Sequence, residues 1–277
     1  MDKPPGPTSH DVVAWVRKIF RIRAVGHTGT LDPFASGLLL VLLGPATRLA
    51  RFAEASKTYQ ATARLGVRTA TDDPTGEVLE QRPVDSGITE AVVRGALLEL
   101  RGPQRQRPPA FSAKKVAGER SYAKARRGEA VALEAVEVMV HSIDLVNFRP
   151  PELTFQATVG PGTYLRALAR DLGERLGCGA HLTALRREAI GALTVERAVP
   201  LNQLSVETPL LSPLEVLAHL PAAELDAAGE RAVAHGRPVP DPQALEGVVT
   251  LVREGLLLAV AEAAGGWLRP IVVLVRA

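Results

Sequence analysis

Apolar residues recur at helical spacing near the start of the chain: Val12, Val13, Val16, Ile19 and Phe20 share one face, and Arg17, Lys18 and Arg21 fall outside it. Thr8, Ser9 and Asp11 supply N-cap chemistry just ahead, so an amphipathic helix is expected here. GHTGTLDPFASG, from Gly26 to Gly37, reads as a loop and runs into the apolar stretch LLLVLLG. Ala61, Ala63, Leu65 and Val67 then alternate with Thr62, Arg64 and Gly66, the pattern of a half-buried strand. Val92, Val93, Ala96, Leu97 and Leu100 predict a second helix, and strand patterns return at Val136, Val138, Val140 and at Leu153, Phe155, Ala157, Val159. The turn GPGT (Gly160 to Thr163) opens a helix carrying Leu165, Leu168, Leu172 and Leu176, with Gly177 as its C-cap. Residues 200–215, rich in Pro, Ser and Leu, read as a boundary; VVTLV, LLLAVAEA and IVVLV beyond it are short strands between Gly-rich turns. The expected architecture is α+β with a small β-rich module appended.

Composition changes this picture little. A chain of 277 residues, 46% hydrophobic and 23% charged, has room for one large domain and a small one. The single cysteine, Cys178, excludes an internal disulfide framework and fits a reducing compartment. No stretch reaches the roughly 18 to 20 uncharged apolar residues of a membrane span. The start, MDKPPGPTSHD, lacks a basic region followed by an apolar one, so no secretory signal is expected and the cytoplasm is the default location.

Charge is more informative. The net value is only +3, but nine basic residues lie between Arg101 and Arg127 against one acid, Glu119. They are Arg101, Arg105, Arg107, Lys114, Lys115, Arg120, Lys124, Arg126 and Arg127. Pro108, Pro109, Phe111 and Tyr122 sit among them, which suits an arm gripping a nucleic-acid backbone better than a solvated loop. A second basic cluster, Arg17, Lys18, Arg21 and Arg23, precedes the glycine-rich loop.

Common cofactor signatures are missing: there is no Walker A sequence, no GxGxxG after a strand, no HExxH and no GxSxG. The six histidines are scattered without cysteine partners, so neither metal nor nucleotide cofactor is expected. Attention falls on the loop. Gly26 and Gly29 permit close backbone approach to a ligand, and Asp32 before Pro33 is biased to extended backbone. Such a fixed carboxylate can serve as a nucleophile or base; read locally, it is as well an Asx turn or helix cap.

Six blocks in order make the case specific: KPPGPTSHDVV, GHTGTLDPFASGLLLV, KTYQATARLGVRTATDDPTGE, PPAFSAKKVAGERSYAKARRG, GPGTYLRALARDLGERLGCGAHLTALRR and the final module. Over nearly its whole length the chain resembles the TruB family of bacterial tRNA pseudouridine synthases, which isomerise the T-loop uridine at tRNA position 55. The resemblance implies a pseudouridine synthase fold on a mixed, largely antiparallel sheet in residues 1–205, with a PUA-like domain in 215–277. It implies Asp32 as the nucleophile, Tyr59 as the ring that stacks on the target uracil, and Arg166 as the partner of the aspartate. It further matches Asp73 to a contact on the uracil edge, Leu185 to an apolar pocket wall, His27 to the residue filling the space of the extruded base, and Lys3 to a support of the pocket. The arm of about 101–130 would hold RNA through Arg105, Arg107, Lys114, Lys115, Arg120, Lys124, Arg126 and Arg127. The implied partner is the T-arm of tRNA, met by a monomer without metal or cofactor.

Without the resemblance, Arg166 reads as a surface arginine, Tyr59 and Leu185 as core, and Asp73 as a turn residue. The family usually carries a short apolar strand before its KPxG motif, and this chain begins almost at the motif, which bears on the packing around Lys3. From Glu215 onward five basic and eight acidic residues give a net −3, so few phosphate contacts are expected from the last module. Two other classes remain open at this stage. One is a non-catalytic RNA-binding or tRNA-folding protein that uses only the arm. The other is a retaining glycosidase with Asp73 as the second carboxylate, about 5 Å away.

Overall fold

The computed structural model describes residues 1–53, 55–111, 115–116, 119–120 and 133–275. The first helix, α1 (Ser9–Phe20), starts where its cap predicts: the Thr8 hydroxyl accepts from the Asp11 amide, and the Asp11 carboxylate accepts from the Thr8 amide. Helices α2 (Glu90–Leu98) and α3 (Leu165–Arg175) also fall on the predicted periodic segments, with Gly177 taking positive φ just past the end of α3.

The strands are β1 (Asp2–Lys3), β2 (Val25–His27), β3 (Ser36–Leu38), β4 (Val41–Leu43), β5 (Lys57–Leu65), β6 (Val67–Thr69), β7 (Val78–Gln81) and β8 (Gly102–Gln106). Two-residue strands β9 (Lys115–Val116) and β10 (Glu119–Arg120) pair with each other, and β11 (Val136–Arg149), β12 (Glu152–Val159), β13 (Ala180–Ile190) and β14 (Leu193–Thr194) follow. The main sheet runs β1-β3-β13-β5-β12-β11-β8, with β14 on β13. Every pairing in it is antiparallel except β3 with β13, so it is mixed and largely antiparallel, as expected.

Alternation decides its two faces. On β5, Tyr59, Ala61, Ala63 and Leu65 are buried in one cluster with Val12 and Val16 of α1, Val93 and Leu97 of α2, and Leu165, Leu168 and Leu172 of α3. The intervening residues are polar, and Thr58 and Thr62 hydrogen-bond Thr158 and Thr154 of β12, each at 3.0 Å. One face is thus roofed by helices and the other is hydrophilic.

The C-terminal β-rich domain has its own sheet, ordered β15 (Ala222–Glu224), β17 (Gly247–Arg253), β18 (Leu256–Ala264), β19 (Trp267–Val273) and β16 (Val239–Pro240). Helix α4 (Ala227–Ala234) packs on it through Val233. Its Val260 and Val272 join a cluster with Leu38, Leu40, Leu42 and Leu193 of the first domain. Among the described residues no helix is long and apolar enough to cross a membrane.

Two sequence expectations change, and one strand has no counterpart in the sequence pattern. Strand β13, central to the sheet, went unread because register shifts after Leu182 and Arg187 interrupt its period-2 pattern. The basic arm does not begin at Arg101, because Gly102–Gln106 is β8, paired with β11. The segment from Gly26 to Gly37 is not all loop: Gly26 and His27 pair with Leu42 and Val41, and Ser36 and Gly37 lie in β3.

The required glycine also differs. A Cβ on Gly26 or Gly29 would meet nothing closer than 3.4 Å, whereas one on Gly37, at φ 103°, would stand 2.3 Å from the Arg187 carbonyl oxygen. Only a residue without Cβ lets β3 lie against β13 there. Gly37→Ala is expected to lower stability by about 2 kcal/mol or more. Urea unfolding checks this, and an unchanged midpoint contradicts it.

Candidate active site

The loop between β2 and β3 is pinned at several points. The Ser9 hydroxyl accepts from the Leu31 amide at 2.9 Å and lies 3.1 Å from the Leu31 carbonyl, to which it donates. The Pro33 carbonyl accepts from the Gly6 amide at 2.8 Å and from Lys3 Nζ at 3.3 Å. Arg187, 1% exposed, donates to the Leu38 carbonyl from Nε and to the Gly29 carbonyl from Nη2. Asp32 therefore sits on a stiff support, with 31% of its side chain still accessible.

Arg166, second residue of α3, meets it from the opposite wall and is 5% accessible. Its Nη2 donates to Asp32 Oδ1 at 3.2 Å. Its Nε lies 3.0 Å from Oδ2 but is not aligned to donate, so that contact is coulombic. The rest of the guanidinium is occupied: Nη1 donates to Asp73 Oδ2 at 3.2 Å and to the Thr71 carbonyl at 3.0 Å, and Nη2 also donates to the Phe111 carbonyl at 2.9 Å.

Asp73 is almost closed off. Its Oδ1 accepts from the Thr71 hydroxyl, the Thr75 hydroxyl and the Thr75 amide at 2.6, 2.6 and 2.9 Å, and Arg166 takes Oδ2. With both oxygens occupied and only 6% of its side chain accessible, Asp73 is disfavoured as the second carboxylate of a pair. Asp72, next in line at φ 57°, pairs with Arg170 at 3.2 Å, and burial pushes its pKa up to about 6.

Burial raises the Asp32 carboxyl above its ordinary range, against the pull of Arg166; Asp73 adds to the rise and Lys3 opposes it. Lys3 is fully buried, donating to the carbonyls of Pro4, Pro7 and Pro33, and burial brings its pKa down to about 8. It holds the loop from below. His27 ends β2, half-buried, and burial lowers its pKa first, with Arg187 and His10 adding to the fall. Tyr59 and Leu185 are buried in the same apolar cluster as Leu31.

The structure thus links Asp32 and Asp73 through Arg166 and ties Lys3 to the loop at Pro33. It ends the strand before the loop at His27 and puts Tyr59 and Leu185 in the large apolar cluster that includes Leu31. Arg105 and Arg107 are exposed at the end of β8 and just beyond it. Lys114, Lys124, Arg126 and Arg127 lie outside the described residues, and only backbone is described for Lys115 and Arg120. Sequence reasoning missed Thr71, Thr75, Asp72, Arg170 and Gln106. Arg170 was signalled by its i+4 spacing from Arg166, which puts both on one helix face.

Among the described residues four buried side-chain atoms find no hydrogen-bond partner: His27 Nδ1, Thr28 Oγ1, Thr163 Oγ1 and Arg166 Nε. All four belong to the two segments joined by the Asp32–Arg166 pair. Unpaired buried groups cost about 1 to 3 kcal/mol each.

The Asp32 carboxyl should titrate above the ordinary aspartate value of about 3.9. Arg166→Gln should move the midpoint higher by about 1 to 3 pH units, because it removes the strongest stabiliser of the anion. Carbon-13 NMR of the side-chain carboxyl reads both, and a wild-type midpoint at or below about 4 contradicts the assignment.

The chain is similar to known proteins along nearly its whole length. A family model described as TruB family pseudouridylate synthase (N terminal domain) matches residues 17–165, and one for the tRNA pseudouridylate synthase B C-terminal domain matches residues 166–215. A tRNA pseudouridine synthase B of Thermobifida fusca is 47% identical, covering 99% of this chain and 96% of that one. The namesake of Burkholderia pseudomallei is 42% identical over 98% and 94%. Among solved structures, a Cbf5–Nop10–Gar1 complex aligns with TM-score 0.76 at 27% identity, covering 99% of this chain and 84% of the other. An archaeal box H/ACA sRNP Nop10–Cbf5 complex aligns with TM-score 0.76 at 25% identity, over 99% and 85%. With family models covering residues 17–215 and relatives of this identity along nearly its whole length, the chain belongs to the TruB family of pseudouridylate synthases.

Proposed function

We propose that this protein converts the T-loop uridine at tRNA position 55 to pseudouridine, as a cytoplasmic monomer, with Asp32 as the nucleophile. The observation that carries the reading is the Asp32–Arg166 pair: a carboxylate with 31% of its side chain accessible, set against a buried guanidinium. The curated relatives' name, tRNA pseudouridine synthase B, supports tRNA as the substrate.

The reaction breaks the bond between uracil N1 and ribose C1′ and remakes it at C5. Substrate and product are isomers, so no reductant or energy donor is consumed. Asp32 attacks as the anion, which Arg166 favours. The target base is stacked in folded tRNA and must be extruded, at a cost of a few kcal/mol. Stacking on Tyr59 offsets about 1 to 3 kcal/mol of that, and phosphate contacts from the basic segment contribute more. Leu185 serves as an apolar wall, Lys3 as a support beneath Pro33, and Asp73 as a contact on the uracil edge that also holds Arg166. We read residues 1–205 as the catalytic domain and 215–277 as a PUA-like domain. The latter's five-stranded sheet and separate core support that division.

An unmodified tRNA transcript incubated with the protein should gain pseudouridine at position 55, and Asp32→Asn should slow this at least about a thousandfold. Chemical mapping of pseudouridine reads both. Product elsewhere only, or an undiminished yield from Asp32→Asn, sinks the reading.

A further inference from the structure

Residues 106–111 connect β8 to the most basic part of the chain, and α3 with the residue before it fastens them at three places. Gln106, fully buried, accepts from the Tyr164 amide at 2.9 Å and donates to the Tyr164 carbonyl at 3.2 Å. Arg170 donates to the Arg107 carbonyl at 2.9 Å, and Arg166 to the Phe111 carbonyl at 2.9 Å. The two arginines are one helical turn apart, and each is held by one of two consecutive aspartates, Arg166 by Asp73 and Arg170 by Asp72.

Consecutive side chains of an extended strand point to opposite sides. Here Asp72 adopts φ 57°, a left-handed conformation that aspartate tolerates better than most residues, and both carboxylates reach α3. Asp171 adds a second acid to Arg170 at 2.7 Å, so this guanidinium is fixed on two carboxylates while it holds the Arg107 carbonyl. At the other end, Arg166 Nη2 is shared between the Phe111 carbonyl and Asp32 Oδ1, and Nε stands 3.0 Å from Oδ2 without being aligned to it. The position of the Phe111 carbonyl therefore bears on how Arg166 meets Asp32.

We propose that Arg170, paired with Asp72, is a positioning residue that locks the base of the basic segment to the Asp32–Arg166 pair, making the grip on RNA and the alignment of the nucleophile one coupled event. The proposal rests on the isomerase reading and deepens it. Arg170 touches neither substrate nor reacting atoms. It fixes where the segment's base stands, and hence how Arg166 meets Asp32 once the segment engages phosphates.

The test is a double-mutant cycle between Arg170→Gln and a charge-reversed segment, Lys124→Glu/Arg126→Glu/Arg127→Glu. It is read as dissociation constant for tRNA and as single-turnover rate at saturating tRNA. Arg170→Gln alone should lower the saturated rate by about tenfold while changing affinity less than about twofold. The triple variant should weaken binding and lower the saturated rate, and adding Arg170→Gln to it should cost less than about a further twofold. An unchanged rate in Arg170→Gln, or the same tenfold loss in both backgrounds, overturns the coupling and leaves Arg170 a local structural residue. If Arg170→Gln does not fold, Arg170→Lys is read the same way, since an ammonium keeps the charge but cannot reach Asp72, Asp171 and the Arg107 carbonyl together. Wild-type product at position 55 is measured first, so failure of the isomerase reading is seen separately from failure of the coupling.

Discussion

Burying a guanidinium is the constraint from which the rest of the site follows. Arg166 is 5% accessible, and a cation removed from water persists only when opposite charge and acceptors surround it. Two carboxylates and two carbonyls do so here, drawn from the loop before β3, the turn after β6 and the segment after β8. Each of those three segments is held in turn: the loop by Ser9, Lys3 and Arg187, the turn by Thr71 and Thr75, and the segment by Gln106 and Arg170. Removing one member of such a set leaves uncompensated charge inside the protein, a loss of about 3 to 5 kcal/mol for buried pairs in general. The same burial that demands a partner for Arg166 pushes the Asp32 carboxyl upward, so the pair is balanced between desolvation and attraction.

Where side-chain period and backbone geometry agree, the fold was legible from the chain alone. The cap at Thr8 and the leucines of α3 located two helices, and the Ala61–Leu65 alternation located the middle strand of the sheet. Strand β13 was not legible because its two bulges shift the alternation, and β8 was hidden under a charge pattern that belongs to the residues after it. Gly26 and Gly29 drew attention by spacing, yet the position that excludes a Cβ is Gly37, through the distant backbone of Arg187.

The site was legible in parts. Asp32 stood out locally, but its partner lies 134 residues away, and only the family resemblance joined them. Read by itself, Asp73 was a turn residue; it is one, and it also holds Arg166. Tyr59 and Leu185 are core residues of β5 and β13, as their apolar pattern alone implies, and they lie in the same apolar cluster as Leu31. The three-point fastening of residues 106–111 has no sequence signature, because two of its acceptors are backbone carbonyls.

The most direct test of the central claim, that the Asp32–Arg166 pair is where the base reacts, is a crystal structure of Asp32→Asn bound to an unmodified T-arm RNA. The account predicts one uridine out of the stack, its ribose C1′ or uracil ring within about 3.5 Å of the position-32 side chain and its ring on Tyr59. A bound T-arm whose uridines all remain stacked in their loop, away from residue 32, would contradict it.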